Sequence, residues 1–262
     1  MVERRSHEYG EFQLACRQRS ERRINRDFEP LSETDAYRIA GALEIAGSAG
    51  FQLNISDGVS SPTCQMTEKR QDVLESFAQI YGGVAKPRGK SYRWIVAGRG
   101  AARIGEACID IAPSRREMFE HFADWRQADT HAQRYAIGSE LASSYRSPVA
   151  IGEYRRLLAN PYFFAGVFDA RGTDVQAEKE RGNGTIFTEH AINIATTNVQ
   201  LLAALSEILG GTVQIRGGEN SYGKSINLVV SSKSALQRIH DARTAYGAIP
   251  ATVNLSLPPS GL

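Results

Sequence analysis

Cysteine is scarce in this chain and widely scattered. Cys16, Cys64 and Cys108 are the only three, and no two stand in a Cys-x-x-Cys spacing. That argues against a disulfide framework or a thiolate zinc site and leaves buried free thiols. The five histidines are dispersed as well, and no metal is assigned to them. Long apolar runs are missing. Nothing approaches the ~20 apolar residues that a helix needs to cross a bilayer, so no membrane is expected as a partner. The opening Met1-Val2-Glu3-Arg4-Arg5 mixes acid and base without an apolar segment and does not read as a secretory signal, which implies an intracellular protein. An excess of one charge is missing too, with a formal net charge of only +2 over 262 residues. Affinity for a nucleic-acid duplex comes largely from neutralised phosphates, so any basic surface here must be local. What the chain does have is 42% hydrophobic residues, enough to build a real core in one large domain or two small ones.

It also has a repeat. Ile39-Ala40-Gly41-Ala42-Leu43-Glu44-Ile45-Ala46-Gly47 and Phe164-Ala165-Gly166-Val167-Phe168-Asp169-Ala170-Arg171-Gly172 share one pattern: apolar, Ala, Gly, two apolar residues, an acid, two variable residues, Gly. A helix with Ala-Gly on one face lets another backbone approach closely, so Gly41 and Gly166 are expected to pack two such helices as a central pair. The closing glycine suits a helix that turns at once into a strand. The surroundings repeat as well. Val73–Val84 and Leu201–Thr212 carry apolar residues at matching helical spacing, and both runs contain a terminal Gly-Gly. A hairpin and a strand follow each, Tyr92–Val96 and Ile226–Val230. The offset between copies grows from 125 to 128 to 134 residues, as small loop insertions require. The chain is an internal duplication of a unit of about 130 residues.

Over roughly residues 31–262 this order of elements resembles the LAGLIDADG homing-endonuclease and intron-maturase family. The resemblance implies an α+β fold of duplicated αββαββα halves, with two antiparallel sheets forming a saddle around the central helix pair. It divides the chain into a polar N-terminal arm (1–30), a first half (31–126), a linker (127–160) and a second half (161–262) truncated at its C-terminus after Pro250. The arm carries Arg17, Arg19, Arg22, Arg23 and Arg26 among acids and reads as a solvated helix or an arm on a phosphate backbone. Ser32 or Thr34 is the expected N-cap of the first motif helix. A monomer with internal pseudo-two-fold symmetry is implied. The many organelle-encoded relatives point to a mitochondrion or chloroplast.

In that fold the solvent-facing side chains of the sheets meet nucleic acid. Phe51–Ile55 alternates as a half-buried strand, Asp57-Gly58 marks a turn, and the chain returns near Thr63–Glu68. Alternation makes Gln52, Asn54, Gln65 and Thr67 a polar set suited to hydrogen bonding base edges. Lys86, Arg88, Lys90 and Arg93 form a basic hairpin without an acid, placed for phosphates, and Arg99 and Arg103 add to it. Ile109–Arg116 is similar to the family's stretch before the last helix of a half, which makes Arg115 or Arg116 a candidate beside the scissile phosphate. In the second half, strands near Asp174–Glu180 and Thr185–Ile194 flank Gly182-Asn183-Gly184, and Lys179, Arg181, Arg216 and Lys224 supply the basic positions.

The family's cleavage chemistry needs divalent cations on oxygen ligands. The resemblance puts one metal-binding carboxylate per half at the eighth motif position, and those positions hold Ala46 and Arg171. Neither binds a cation. Glu44 and Asp169 stand two residues earlier, about 200° around the helix, and are expected to make a hydrogen bond or an ion pair there instead. Glu68 occupies the place of the family's water-positioning polar residue. No cofactor is therefore expected, and Mg2+ only if the chain is an endonuclease after all. An arginine at the axis would pair with a phosphate in the metal's stead. The expected function is nucleic-acid binding without cleavage, with structured RNA favoured over double-stranded DNA, as in an intron maturase or a ribonucleoprotein component with protein neighbours. The alternatives are a metal-dependent intron-homing endonuclease and a DNA-binding regulator on the same scaffold.

Overall fold

A computed structural model describes residues 29–140, 147–180, 182–216 and 225–247. The first half runs α1 (Glu33–Ala46), β1 (Gly47–Asn54), β2 (Val59–Glu68), α2 (Gln71–Tyr81), β3 (Val84–Arg88), β4 (Ser91–Ala97) and α3 (Arg99–Cys108). A 3-10 turn (Pro113–Arg115) leads to α4 (Arg116–Gln127), α5 (His131–Glu140) and α6 (Ile151–Leu158). The second half repeats the order: α7 (Pro161–Arg171), β5 (Gly172–Glu180), β6 (Ile186–Thr196), α8 (Val199–Leu209), β7 (Thr212–Arg216), β8 (Ser225–Val230) and α9 (Lys233–Tyr246). Both sheets are antiparallel and four-stranded, ordered β1-β2-β4-β3 and β5-β6-β8-β7. These are the two αββαββα halves expected from the duplication, and α9 completes the second. The truncation expected after Pro250 lies outside the described residues, as does nearly all of the N-terminal arm.

The motif helices are set by their caps and by their glycines. The Ser32 hydroxyl accepts from the Asp35 N–H at 3.1 Å, and Glu33 and Asp35 favour the positive end of α1. Asn160 accepts from the N–H groups of Tyr162 and Phe163, with Pro161 at the first helical position. The two helices then pack backbone to backbone. A Cβ on Gly41 would lie 2.2 Å from the Phe163 carbonyl oxygen, and one on Gly166 would lie 2.0 Å from that of Arg38. Any side chain larger than hydrogen would force the pair apart.

The repeated Gly-Gly pairs have an equally local cause. Gly82 and Gly83 have φ of 78° and 85°, and Gly210 and Gly211 have 67° and 105°. The second glycine of each also sits against the neighbouring strand, where a Cβ would fall 2.3 Å from the Ile95 carbonyl oxygen and 2.5 Å from that of Val229. The core is one continuous apolar cluster. Phe77, Tyr81 and Trp94 fill it under the first sheet, and Phe163, Phe168, Leu205 and Leu228 fill it under the second.

The connection between the halves, read from sequence as a helix tail and linker, holds two further helices. α5 packs on β1 and β2, and α6 packs on α7 and α8. Gly138 lies inside α5 because a Cβ there would come within 2.5 Å of Ser60 and 3.1 Å of Phe51. Ser60 anchors this helix by donating to the Arg134 carbonyl oxygen and accepting from the Trp125 indole at 3.1 Å.

Candidate nucleic-acid interface

Each sheet has a core face and an outer face. In the first, Ala49, Phe51, Cys64, Met66, Trp94 and Val96 are buried, so alternation turns Ser48, Gln52, Asn54, Ser61, Gln65, Thr67 and Arg93 the other way. Strand register aligns them. Gln65 lies opposite Ser48 on one side and Ile95 on the other, and Thr67 lies opposite Arg93. Arg93 in turn faces Lys86, and Arg88 faces Ser91. The structure thus brings Gln52, Gln65, Thr67, Lys86, Arg88 and Arg93 onto one surface, with Lys90 in the adjoining turn. Asn54 is at its edge, where it donates to Asp57 at 2.6 Å within its own turn.

The one acid on these strands, Glu68, is buried and alternates to the core side, so none shares this face, and Lys86, Arg88, Lys90 and Arg93 form no ion pair among the described residues. Directly opposed like charges destabilise an antiparallel pair. Lys86 opposite Arg93 is such a pair, and an anion between them would relieve it.

The second sheet differs. Its outer face carries Thr173, Asn193 and Gln214, all neutral. Lys179 shares that face but is held by Glu189 at 2.5 Å. Arg181 and Lys224 lie outside the described residues. The backbone of Arg216 falls on the outer register of β7 opposite Ser225, and its side chain lies outside the described residues.

Four candidates do not reach this surface. Arg115 is 1% exposed. Its guanidinium donates to the Leu43 carbonyl oxygen at 3.1 Å, in the last turn of α1, and to that of Gly47, the first residue of β1. A phosphate contact at Arg115 is therefore excluded. Arg116 does reach solvent, but it donates to Glu153 at 3.1 Å and to the Ile109 carbonyl oxygen, which ties α4 to α6. Arg99 and Arg103, read as additions to the basic patch, stand on α3 and not on the sheet.

The motif acids are built into the interior. Glu44 is fully buried. One carboxylate oxygen accepts from the Ser114 N–H at 3.0 Å, and the other accepts from the Tyr154 hydroxyl at 2.6 Å and the Asn198 amide at 3.1 Å. Burial, and after it the Glu44 charge, push the Tyr154 hydroxyl above its ordinary range. Asp169 is 1% exposed, with Arg243 at 4.0 Å. Its carbonyl oxygen accepts from Arg70 at 2.7 Å. The two halves cross at these ends. Arg70 of the first reaches the end of α7, while Asn198 and Thr196 of the second reach the end of α1 at Glu44 and at the Ile45 carbonyl oxygen.

Ala46 and Arg171 are the points where the two central helices leave the core, since the residues before them are buried and they are not. Beside the Arg171 end lies Glu68, 8% exposed, with Arg171 Nη1 at 3.8 Å and Arg70 Nε at 4.0 Å. This donor set does not fit a divalent cation. It offers a methyl group, and one carboxylate flanked by two guanidinium cations, where Mg2+ takes several oxygens. Among the described residues no cluster of three His, Cys, Asp or Glu side chains is grouped to hold a metal ion.

No protein-family model and no curated protein matches the chain. Solved structures do. A double lysine-to-alanine mutant of I-SmaMI matches with a TM-score of 0.52 at 16% identity, over 84% of this chain and 86% of that one. The LAGLIDADG homing endonuclease I-GzeII, in complex with its DNA target, gives 0.52 at 14% identity over 80% and 83%. The LAGLIDADG homing endonuclease I-LtrWI, bound to target DNA, gives 0.51 at 13% over 82% and 84%. The chain has the LAGLIDADG fold.

Proposed function

We propose that this protein binds nucleic acid on the outer faces of its sheets and holds it without cutting it, with structured RNA as the favoured target. The observation that carries the reading is the first sheet. It aligns Lys86, Arg88 and Arg93 beside Gln52, Gln65 and Thr67, with no acid on that face of the strands and with Lys86 facing Arg93. The cations suit phosphates, and the amides and hydroxyls suit base edges or 2′-hydroxyl groups. Absence of cleavage rests on the helix ends, where Ala46, Arg171 and the paired Glu68 offer no ligand set for a divalent cation. The small net charge of +2 supports RNA over duplex DNA, because structured RNA is held through shape and sugar contacts as well as phosphates. This reading fits a maturase-like protein or a component of a larger ribonucleoprotein.

A DNA target is the second reading. I-GzeII and I-LtrWI were solved with DNA, which favours a site-specific DNA-binding protein on this scaffold. Fluorescence anisotropy on a pool of hairpin RNAs and a pool of DNA duplexes, each with EDTA and with magnesium, separates the readings. The expected result is tighter retention of RNA, the same affinity in EDTA, and intact strands after incubation with magnesium or manganese. Selective retention of one duplex would move the protein to the DNA reading. Magnesium-dependent strand breaks would overturn the non-cleaving one.

A further inference from the structure

The junction of the two halves carries more N–H donors than acceptors. Arg171 closes α7 and is partly exposed, with a side chain 34% accessible. It sits one residue before β5. Glu68 closes β2 from the other half. Arg70 follows it and anchors one guanidinium nitrogen on the Asp169 carbonyl oxygen. Two cations thus converge on one carboxylate. They do so at 3.8 and 4.0 Å, beyond hydrogen-bond reach. The Glu68 carboxylate spends one oxygen on the neighbouring Lys69 N–H at 2.7 Å. The Nε groups of both Arg70 and Arg171 are buried and have no hydrogen-bond partner among the described residues. Buried donors left unpaired cost stability, and a guanidinium fork matches the oxygens of a phosphate.

We infer that Arg171, with Arg70 behind it, is a phosphate-binding site at the centre of the nucleic-acid surface, and that Glu68 is the internal anion a backbone phosphate displaces. The inference rests on the nucleic-acid reading above. It makes the junction a place that grips one phosphodiester by charge alone, where the fold's solved relatives bear the LAGLIDADG endonuclease name. Ala46, the matching residue of the first motif helix, adds no charge of its own. The grip is asymmetric about the pseudo-axis, because the exposed cation Arg171 comes from the second half's helix, while Arg70 and the competing carboxylate come from the first half.

The prediction is a pair of opposite signs. Arg171→Ala removes the cation and should weaken binding of a hairpin RNA or a DNA duplex about 5- to 10-fold, and should lower the slope of log K against log salt by about 1. Glu68→Gln removes the competitor and should tighten the same binding several-fold. Arg171→Lys should keep the salt slope while losing part of the affinity, since an ammonium retains charge without the fork. Inorganic phosphate at millimolar levels should compete with the parent chain more effectively than with Arg171→Ala. An ion pair that merely holds the halves together predicts something else, namely equal loss of melting temperature in both variants and no gain of affinity for Glu68→Gln. Parent binding with Glu68→Gln unchanged or weakened would overturn this inference and leave the nucleic-acid reading standing. No binding by the parent chain to either nucleic acid would overturn both.

Discussion

Glu44 accepts hydrogen bonds from Ser114, Tyr154 and Asn198, three donors drawn from three separated stretches of chain. Glu44→Ala would strand all three in the interior, at about 1–3 kcal/mol for each donor left unpaired before the site relaxes. The expected loss of unfolding free energy is about 3–5 kcal/mol, read as a lower urea midpoint at unchanged slope. A loss under about 1 kcal/mol would mean the network is already satisfied by water. The family resemblance put this acid two residues from the motif position implied to face the axis, which led to the expectation of a hydrogen bond. It did not show the partners, because they come from residues 70 to 154 positions away. The same limit explains Arg115. A run of Ser114-Arg115-Arg116 reads as surface charge, and only the fold reveals that one of the two arginines turns inward to carbonyls. Burial also acts on the thiols. It pushes Cys64 up to about 12, against a smaller downward pull from Arg115, and it pushes Cys108 well above its ordinary range. Burial raises Tyr81 and Tyr154 in the same direction. Above about pH 8.5 an unfolded chain sheds thiol protons that the folded chain retains. Stability is therefore fully present below that pH and falls as pH rises towards 12. Urea midpoints at successive pH values from neutrality upward check this, and a flat profile would contradict it.

At the scale of elements, the duplication was legible because each repeated signal has a local physical cause. The motif glycines mark a backbone contact, and Gly-Gly marks a left-handed helix exit pressed on a strand. Gly41→Ala and Gly166→Ala test the first. Each would place a methyl about 1 Å or more inside ordinary contact with a carbonyl oxygen of the partner helix. Overpacking of this kind costs about 1–3 kcal/mol or more, a fall of several degrees in melting temperature. Unchanged melting of both variants would dissolve the central pair. The helices α5 and α6 were not legible. Their stretch mixes alanine, serine and charge, and Gly138 looks like punctuation between elements. In the fold that glycine serves close packing against Ser60 and Phe51, and the helix is held by the sheet beneath it, not by its own propensity.

On the scale of the whole molecule, a net charge near zero and the proposed polyanion-binding surface are compatible only if cations are segregated. The first sheet does this by register. β3 and β4 bring Lys86, Arg88 and Arg93 onto one face, while the acids of the first half sit on helices, in turns or in the interior. Among the described side chains the second sheet offers amides and a hydroxyl, plus a lysine already neutralised by Glu189. The first half should therefore supply most of the salt-sensitive part of binding, and the second should contribute contacts that salt leaves alone. Reversing Lys86, Arg88 and Lys90 to glutamate tests this. The three positions are exposed and lie at the sheet edge and its turn, so the fold should survive, with melting within a few degrees of the parent. Binding should weaken at least 100-fold at low salt. The slope of log K against log salt should shrink by about 2, since each lost phosphate contact removes roughly 0.7–0.9 of it. Reversal of Lys179 alone should cost little, because its charge is spent on Glu189. If the two reversals weaken binding alike, the charge does not reside in the first sheet and the interface has to be sought elsewhere on the molecule.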